Sequence, residues 1–383
     1  MCALDLFNDA DTRRFAVASE AVRSRAGGDP GFDRADLLWR AGRLCPPSRC
    51  LGFVYGAGFE DDVESLKQLT TGRELLGNPP DLVEHLKDPV YFFGLLDRLS
   101  IPHPPTTLAR PRALRGWLYK RRGGSGGAHV IDASAATCEA AGAGEGYFQR
   151  RAPGRSLSLL FLADGRHAQV VGISRQLTRR VDNRRYTYAG AVGPIDLPAT
   201  VSASLLDALQ ALVAHTGLVG CNSIDFLLDG DRPSVLEINP RPSATIDLYD
   251  DDWSRALFDA HLRACRGKLP RKPARRAVPV RAHAIVYADA PLTIGPEASF
   301  PAWCTDTPHA GSQVVAGEPV CTVRADGADV PSAMRQLRRR RRLTELRLTA
   351  RSESEAPYER NLSAPEREPL RGPVGRVAAG TPR

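Results

Sequence analysis

The spacing of apolar and polar residues changes along the chain and predicts different structures in its parts. In residues 1–100, short apolar runs such as ALDLF and LGFVYG (51–56) predict strands, and an apolar face predicts a helix from Pro89 to Leu99. Proline is compatible with the first turn of a helix, so Pro89 supports that start. The alternation of strands and helices predicts an α/β domain.

From residue 101 to 270 the apolar spacing shifts toward a period of two, which is typical of antiparallel strands. Strands are predicted at WLYK, AHVI, YFQRR, SLSLLFL and AQVVGIS, with GGSGG, APG and ADG among the turns. A helix is predicted at 203–216, with Gly217 as its stop. Two further strands, 224–228 and 234–238, complete a predicted α+β domain.

The remaining sequence predicts a small module and a tail. A basic, proline-rich linker at 266–280 leads to short apolar runs, HAIVYA and PVCTVRA, which predict a β-rich C-terminal module at 281–334. Residues 335–383 contain too little apolar material to fold alone and are predicted to be disordered.

The net charge of +8 comes almost entirely from this tail, which includes five consecutive arginines at 338–342. Such a run binds polyanions with unspecific, salt-sensitive affinity, so a nucleic-acid-binding protein is one functional hypothesis, and incidental polyanion binding is another. The chain has no apolar run of about 18 residues and no signal-like start, which predicts a cytoplasmic protein without a membrane partner.

Two acids in the stretch SIDFLLDGDRPSVLEINPRPS (223–243) indicate a possible cation site. If the hairpin turn runs from Asp229 to Pro233, Asp225 lies opposite Glu237, with their Cβ atoms roughly 4.5–5.5 Å apart. Asn239 shares the face of Glu237. Opposed carboxylates repel unless a proton or a cation intervenes, and these oxygens suit Mg²⁺. The alternative is an exposed hairpin with solvated acids.

A glycine-rich segment upstream, WLYKRRGGSGGAHV, is a candidate phosphate-binding element. Lys120 ends a predicted strand, and the loop that follows contains Gly123, Gly124, Ser125, Gly126 and Gly127. Glycines allow a phosphate to approach the backbone amides closely. The segment is not a P-loop, because it lacks G-K-[ST] and no helix follows. A flexible turn is the alternative.

Taken together, the hairpin and the loop resemble the ATP-grasp superfamily over about residues 75–265. The resemblance implies an ATP-grasp fold, preceded by a Rossmann-like α/β domain and followed by the β-rich module. It implies ATP and Mg²⁺ as cofactors, with Mn²⁺ possible, and Asp225, Glu237 and Asn239 as the metal ligands.

The same resemblance assigns roles to other residues. Lys120 would contact phosphate and adenine, and the loop 123–127 would close over the phosphates. The strand with Gln149, Arg150 and Arg151 would meet the adenine edge. Arg241, which follows E-I-N-P, would stabilise the transferred phosphoryl group.

The sequence departs from the superfamily pattern in three places, one of which is that the acid expected just after the hinge, for ribose, is not evident in APGRSLS. Pro89 stands after Asp88 where a lysine is usual, so one ATP-contacting cation is either missing or supplied by Lys87. The chain also begins at about the second strand of the preceding domain, so we expect its first βα unit to be absent.

The resemblance implies an ATP-dependent carboxylate–amine ligase, which activates a carboxylate as an acyl phosphate and releases ADP and phosphate. Catalysis of this kind depends on electrostatics and positioning. The predicted loop 175–190 would contact the acyl phosphate through Arg175 and Arg185. The enzymatic alternative is a bicarbonate-activating carboxylase of the biotin carboxylase or aminoimidazole ribonucleotide carboxylase type, which shares the E-I-N-P-R wording.

Overall fold

The computed structural model describes residues 1–25, 31–136, 146–181, 184–253, 256–271 and 279–355. Its helices are α1 (Ala10–Phe15), α2 (Arg34–Leu44), α3 (Val63–Thr70), α4 (Pro80–Lys87), α5 (Pro89–Arg98), α6 (Ala199–Thr216), α7 (Ala256–Cys265) and α8 (Val330–Glu355). Its strands are β1 (Cys2–Asp5), β2 (Ala18–Ala21), β3 (Thr106–Thr107), β4 (Trp117–Arg121), β5 (Val130–Asp132), β6 (Gly146–Arg150), β7 (Arg155–Asp164), β8 (Ala168–Val181), β9 (Arg184–Gly193), β10 (Val219–Asp229), β11 (Arg232–Asn239), β12 (Val280–Tyr287), β13 (Leu292–Thr293), β14 (Cys304–Thr305), β15 (Gln313–Val314) and β16 (Pro319–Gly327). Residues 1–344 form one compact unit.

The N-terminal part has the expected α/β character. Strands β1 and β2 pair in parallel, and helices α2 and α3 contribute Leu37 and Leu66 to a buried apolar cluster. Helix α5 begins where predicted because the Asp88 carboxylate caps its first free amides. The segment 51–56 differs from the prediction, since only Phe53 forms a single bridge, with Leu75.

A large antiparallel sheet forms the centre of the fold, with strand order β11-β10-β7-β8-β9-β12-β16-β14. Successive residues of β7 are apolar, and successive side chains of a strand point to opposite faces of the sheet, so both faces of this strand are apolar. Leu159 and Phe161 pack toward α6, whereas Leu160 and Leu162 pack toward α7. Helix α6 ends, as predicted, at Gly217, which adopts a left-handed conformation. The sheet is therefore packed against a helix on each face.

A smaller sheet, with order β3-β6-β4-β5, carries Lys120 on β4 and Gln149 on β6. The two sheets form opposite walls of a cavity that is lined by residues from both. This mixed α/β and α+β architecture confirms the predicted fold class.

Two predicted segments have a different structure from the one expected. Residues 175–190, predicted as a loop, lie mostly in the paired strands β8 and β9. The predicted C-terminal module contributes β12, β14 and β16 to the large sheet, because β12 pairs with β9 through Arg281 and Gly193.

Residues 335–355, predicted as part of a disordered tail, instead lie in helix α8, which includes the arginines at 338–342. Polyanion binding by these arginines stays a prediction. Residues 356–383 of the predicted tail lie outside the described residues. Among the helices that the structure describes, none is both long and apolar enough to cross a membrane.

Candidate active site

The hairpin of β10 and β11 places Asp225 directly opposite Glu237, as predicted from the sequence. Its turn is tighter than expected, since Asp229 already pairs with Arg232. A bulge after Asp225 restores the predicted register. Asn239 lies on the same hairpin, and its Nδ2 atom is 3.5 Å from Asp225 Oδ2.

Lys87 supplies a cation at this hairpin. It is the last residue of α4, and its Nζ atom lies 3.1 Å from Asn239 Oδ1 and 4.0 Å from Glu237 Oε2. The helix ends there because Asp88 and Pro89 begin α5. Lys87 therefore lies beside the hairpin acids but is not among the described lining residues of the cavity, and its role as a replacement for the lysine missing at position 89 stays a prediction.

The two hairpin acids differ in their protonation tendency. Burial and the charge of Glu237 raise the pKa of Asp225 to about 7. Burial alone would raise the pKa of Glu237, but Lys87, His129 and Lys120 together lower it to about 2. Glu237 is therefore the permanent anion of the pair.

The oxygens of the hairpin fit a Mg²⁺ ion. Asp225 Oδ1 is buried and accepts no hydrogen bond from the described residues. A buried carboxylate oxygen without a partner is costly, and a divalent cation would satisfy it. The described residues contain no cluster of three or more His, Cys, Asp or Glu side chains suited to a metal. Two carboxylates and one amide would leave further coordination positions for phosphate oxygens.

The opposite wall of the cavity contributes Lys120 and His129. Lys120 is buried on β4, and this burial lowers its pKa, against the attraction of Glu237 and Asp225. Burial likewise lowers the pKa of His129 to about 4, so the imidazole is neutral near pH 7. Its Nδ1 atom is 3.3 Å from the carbonyl oxygen of Ser125, which requires the proton on Nδ1.

The glycine-rich loop is held between the N-terminal part and β9. Gly123 has φ of +64°, and a Cβ atom there would lie 2.3 Å from the carbonyl oxygen of Glu60. Gly127 has φ of +70°, and a Cβ atom there would lie 1.9 Å from the carbonyl oxygen of Tyr186. The amide of Tyr188 donates to the carbonyl of Gly126 at 2.8 Å. Glycine is thus required at both 123 and 127 by conformation and by space.

Arg241 is fixed by a buried partner from the N-terminal part, Glu60. Arg241 Nε donates to Glu60 Oε1, and the two side chains are 9% and 2% exposed. The other oxygen of Glu60 accepts the amides of Gly58 at 3.0 Å and Phe59 at 3.2 Å. Burial raises the pKa of Glu60, but Arg241 and Lys87 lower it overall. The ionised Glu60 therefore sets the orientation of the guanidinium.

Most of the sequence-predicted site residues meet in one cavity of about 550 Å³. Those that line it are Lys120, Ser125, Gly126, Gly127, Gln149, Arg150, Arg151, Asp225, Glu237, Asn239 and Arg241. Gly123 and Gly124 are not among its described lining residues. Gly124 instead packs on the ring of His129.

Arg175 and Arg185, predicted to be catalytic, are also not among the described lining residues. The reason is that 175–190 forms strands, in which neighbouring side chains point to opposite faces. Gln176, next to Arg175, does line the cavity. Arg185 instead pairs with Asp132, 3.5 Å away on β5.

Several lining residues were not anticipated from the sequence. Ser156 and Ser158 lie two positions apart in an otherwise apolar run and face the cavity, and Tyr186 and Tyr188 do so on β9. Polar residues at a spacing of two inside a strand could have indicated these positions. The role of Glu60 had no such signal, because 181 residues separate it from Arg241.

Two antiparallel sheets around a cavity, with acids on one and a lysine and a glycine-rich loop on the other, define a fold of the ATP-grasp type. Comparison with protein families agrees, since residues 88–245 match the ATP-grasp domain. Residues 88–245 therefore form an ATP-grasp domain. No curated protein matches the chain in sequence.

Solved structures share the fold at low identity. Biotin carboxylase from Campylobacter jejuni matches with a TM-score of 0.66 and 13% identity, over 88% of this chain and 83% of that one. N5-carboxyaminoimidazole ribonucleotide synthetase from Thermotoga maritima matches with 0.61 and 16%, over 89% and 90%. N5-carboxyaminoimidazole synthetase from Staphylococcus aureus, complexed with ADP, matches with 0.63 and 14%, over 89% and 90%. The likeness extends well beyond residues 88–245.

Proposed function

We propose that the protein is an ATP- and Mg²⁺-dependent ligase that activates a carboxylate as an acyl phosphate and transfers the acyl group to an amine. The observation that supports this best is the half-buried Asp225–Glu237 pair, with its unpartnered carboxylate oxygen, in a cavity that Lys120 also lines, while Lys87 lies 4.0 Å from Glu237. Such a site suits a magnesium-bound polyphosphate, because cations on the opposite wall balance phosphate charge.

In this proposal Asp225, Glu237 and Asn239 hold Mg²⁺, which when bound would neutralise phosphate oxygens and orient them. Mn²⁺ in the same place stays a prediction. Lys87 and Lys120 bind the phosphates from the two sides of the site. The loop amides near Gly126 complete the phosphate contacts.

The other ends of the cavity accommodate the base and the reacting groups. Gln149, Arg150 and Arg151 line the wall that we assign to adenine. Arg241, held by Glu60, faces the cavity beside the hairpin and stabilises the charge that develops on the transferred phosphoryl group. Positioning and charge compensation then supply most of the catalysis.

A second candidate is activation of bicarbonate, and the structural comparisons favour it. The similar folds include biotin carboxylase and N5-carboxyaminoimidazole ribonucleotide synthetase, and the likeness covers 88–89% of this chain. Bicarbonate and a carboxylate each present an oxygen nucleophile to the γ-phosphoryl group, so the cavity suits either chemistry.

The test is ADP release with Mg²⁺ over a panel of carboxylates, each with and without amines, and over bicarbonate alone. The ligase proposal expects release that needs both an acid and an amine. Stimulation by bicarbonate without any carboxylate would favour the carboxylase.

Two variants on the same strand test the metal assignment. We expect Asp225→Asn to lower turnover by at least about 10- to 100-fold, because replacing a residue that merely supports a metal ligand already costs that much. Asp229→Asn, at the exposed end of β10, is the matched control and should retain activity. Turnover that persists in Asp225→Asn would contradict the assignment.

A further inference from the structure

A second cavity, of about 540 Å³, lies beside the C-terminal strands of the large sheet. It borders β12, β14 and β16, which carry His283, Thr305 and Arg324 respectively. Its described lining residues are distinct from those of the first cavity. A short 3₁₀ turn, Ala244–Leu248, separates the two, because Thr245 lines the first and Asp247 lines the second.

Two buried polar atoms of this cavity have no hydrogen-bond partner among the described residues, His283 Nδ1 and Thr305 Oγ1. His283 is 2% exposed, and its Nε2 atom lies 2.7 Å from the hydroxyl of Tyr188. Burial lowers the pKa of His283 to about 4 and raises the pKa of Tyr188, so both are neutral. When the hydroxyl donates to Nε2, the proton of the imidazole is on Nδ1, where it has no acceptor among the described residues.

Three arginines line the same space, and they differ in how fully they are paired. Arg281 forms a two-point ion pair with Asp252, at 2.8 and 3.1 Å. Arg340 lies over the ring of Trp303, 5.3 Å from its centroid. Arg324 donates to the backbone carbonyl of Asp247 at 3.2 Å and forms no ion pair with a described carboxylate. Arg324 is therefore the cation in this cavity that is available to an anion.

Asp247 supplies the opposite charge. Its side chain forms no hydrogen bond or ion pair with another described residue, although it lines the cavity. Burial raises the pKa of Asp247 to about 6, with Arg324 opposing the effect. A half-buried carboxylate without a partner among the described residues favours an ammonium ligand, which would satisfy it.

We propose that the second cavity binds a free amino acid. Its carboxylate is held by Arg324 with hydrogen bonds from His283 Nδ1 and Thr305 Oγ1, and its ammonium group is held by Asp247. A zwitterion matches this set, because the cavity offers unpaired hydrogen-bond donors with a cation on one side and an unpaired carboxylate on the other. The site is separate from the ATP-grasp cavity and does not depend on which reaction occurs there.

Calorimetric titration of the full chain with each of the twenty standard amino acids tests the ligand class. We expect at least one to bind. For each that binds, the carboxamide and the N-acetyl derivative remove one charge at a time, and each should bind about tenfold more weakly, as expected for loss of a charge-assisted hydrogen bond.

Variants locate the binding. Arg324→Gln should raise the dissociation constant of the responding amino acid about tenfold, and Thr305→Val should weaken binding while keeping the side-chain shape. Arg339→Gln, exposed on α8, is the matched control and should bind normally. Equal affinity in Arg324→Gln, Thr305→Val and the wild type would overturn the proposal.

Titration with MgADP in parallel separates this proposal from the proposed function. If MgADP binds and none of the twenty amino acids does, the amino-acid site is refuted and the ATP-grasp function stands. If amino acids bind as expected and MgADP does not, the second site stands and the nucleotide assignment fails.

Discussion

Replacing Glu60 by glutamine tests how Arg241 is held in place. The substitution keeps the size of the side chain but removes the charge that faces Arg241 Nε. It also disturbs the second oxygen, which accepts the amides of Gly58 and Phe59. An arginine that is 9% exposed would then lack its anion.

The loss should be large for a substitution of equal volume. Removing one partner of a buried ion pair costs about 3–5 kcal/mol. Because Arg241 borders the cavity, water can reach part of its guanidinium, so we expect the lower end, about 3 kcal/mol. The double variant Glu60→Gln/Arg241→Gln should lose less than the sum of the two single variants, because it leaves no stranded cation.

Urea unfolding of the wild type, Glu60→Gln, Arg241→Gln and the double variant measures these free energies of unfolding. Glu64→Gln on the exposed face of α3 is the control, and its free energy of unfolding should change by no more than about 0.5 kcal/mol.

The dependence of stability on pH, on the acid side, adds a second check. The pKa of Glu60 is lower in the folded state, so its stabilisation is present above the unfolded value of about 4.3 and is lost as the pH falls through the folded pKa. The difference in free energy of unfolding between the wild type and Glu60→Gln should therefore become smaller below about pH 4. Additive single effects, within about 0.5 kcal/mol, would refute the coupling.

Three further substitutions test other parts of the site. Gly127→Ala should destabilise the protein by about 1–3 kcal/mol in urea, and by more than Gly126→Ala, which has a similar φ but open space at its Cβ; equal losses would contradict the steric argument. Lys87→Met should weaken MgADP binding about tenfold in calorimetry, whereas Lys67→Met, on the surface, should not; unchanged affinity would exclude Lys87 from the phosphate site. Arg185→Gln should leave the rate of ADP release unchanged, and a lower rate would support the predicted catalytic role of Arg185.

The strands with apolar faces were predictable because their surroundings are apolar on one or both sides. SLSLLFL became the core of β7, and AQVVGIS became the first half of β8. The second half of β8 and the start of β9 were not recognised as strands. Thr178 and Tyr186 line the cavity there, and their neighbours Arg179 and Arg185 do not, so polar or charged side chains occur on both faces and the contrast between the faces is weak. Polar residues on the face that lines a binding cavity thus remove the periodic signal.

Contacts between distant parts of the chain were the least predictable. Lys87 was a candidate only because the lysine usual at position 89 is missing. Nothing in the sequence near Glu60 indicates that Glu60 contacts Arg241. Asn78 is a similar case, since its amide joins Asn222 at 2.7 Å and the carbonyl of Pro240 at 2.9 Å. These contacts depend on how the N-terminal part packs against the hairpin, and the sequence around each residue does not predict that packing.

The opposed acids show how a correct prediction can depend on a compensating irregularity. A hairpin closed by Asp229 and Arg232 would, with regular pairing, put Asp225 opposite Leu236 and turn Glu237 to the other face. The bulge shifts the register by one residue after Phe226 pairs with Val235, so that Asp225 meets Glu237. The sequence-based register was right although its turn was wrong. The bulge therefore has a functional consequence, because it places both carboxylates on the face that borders the cavity.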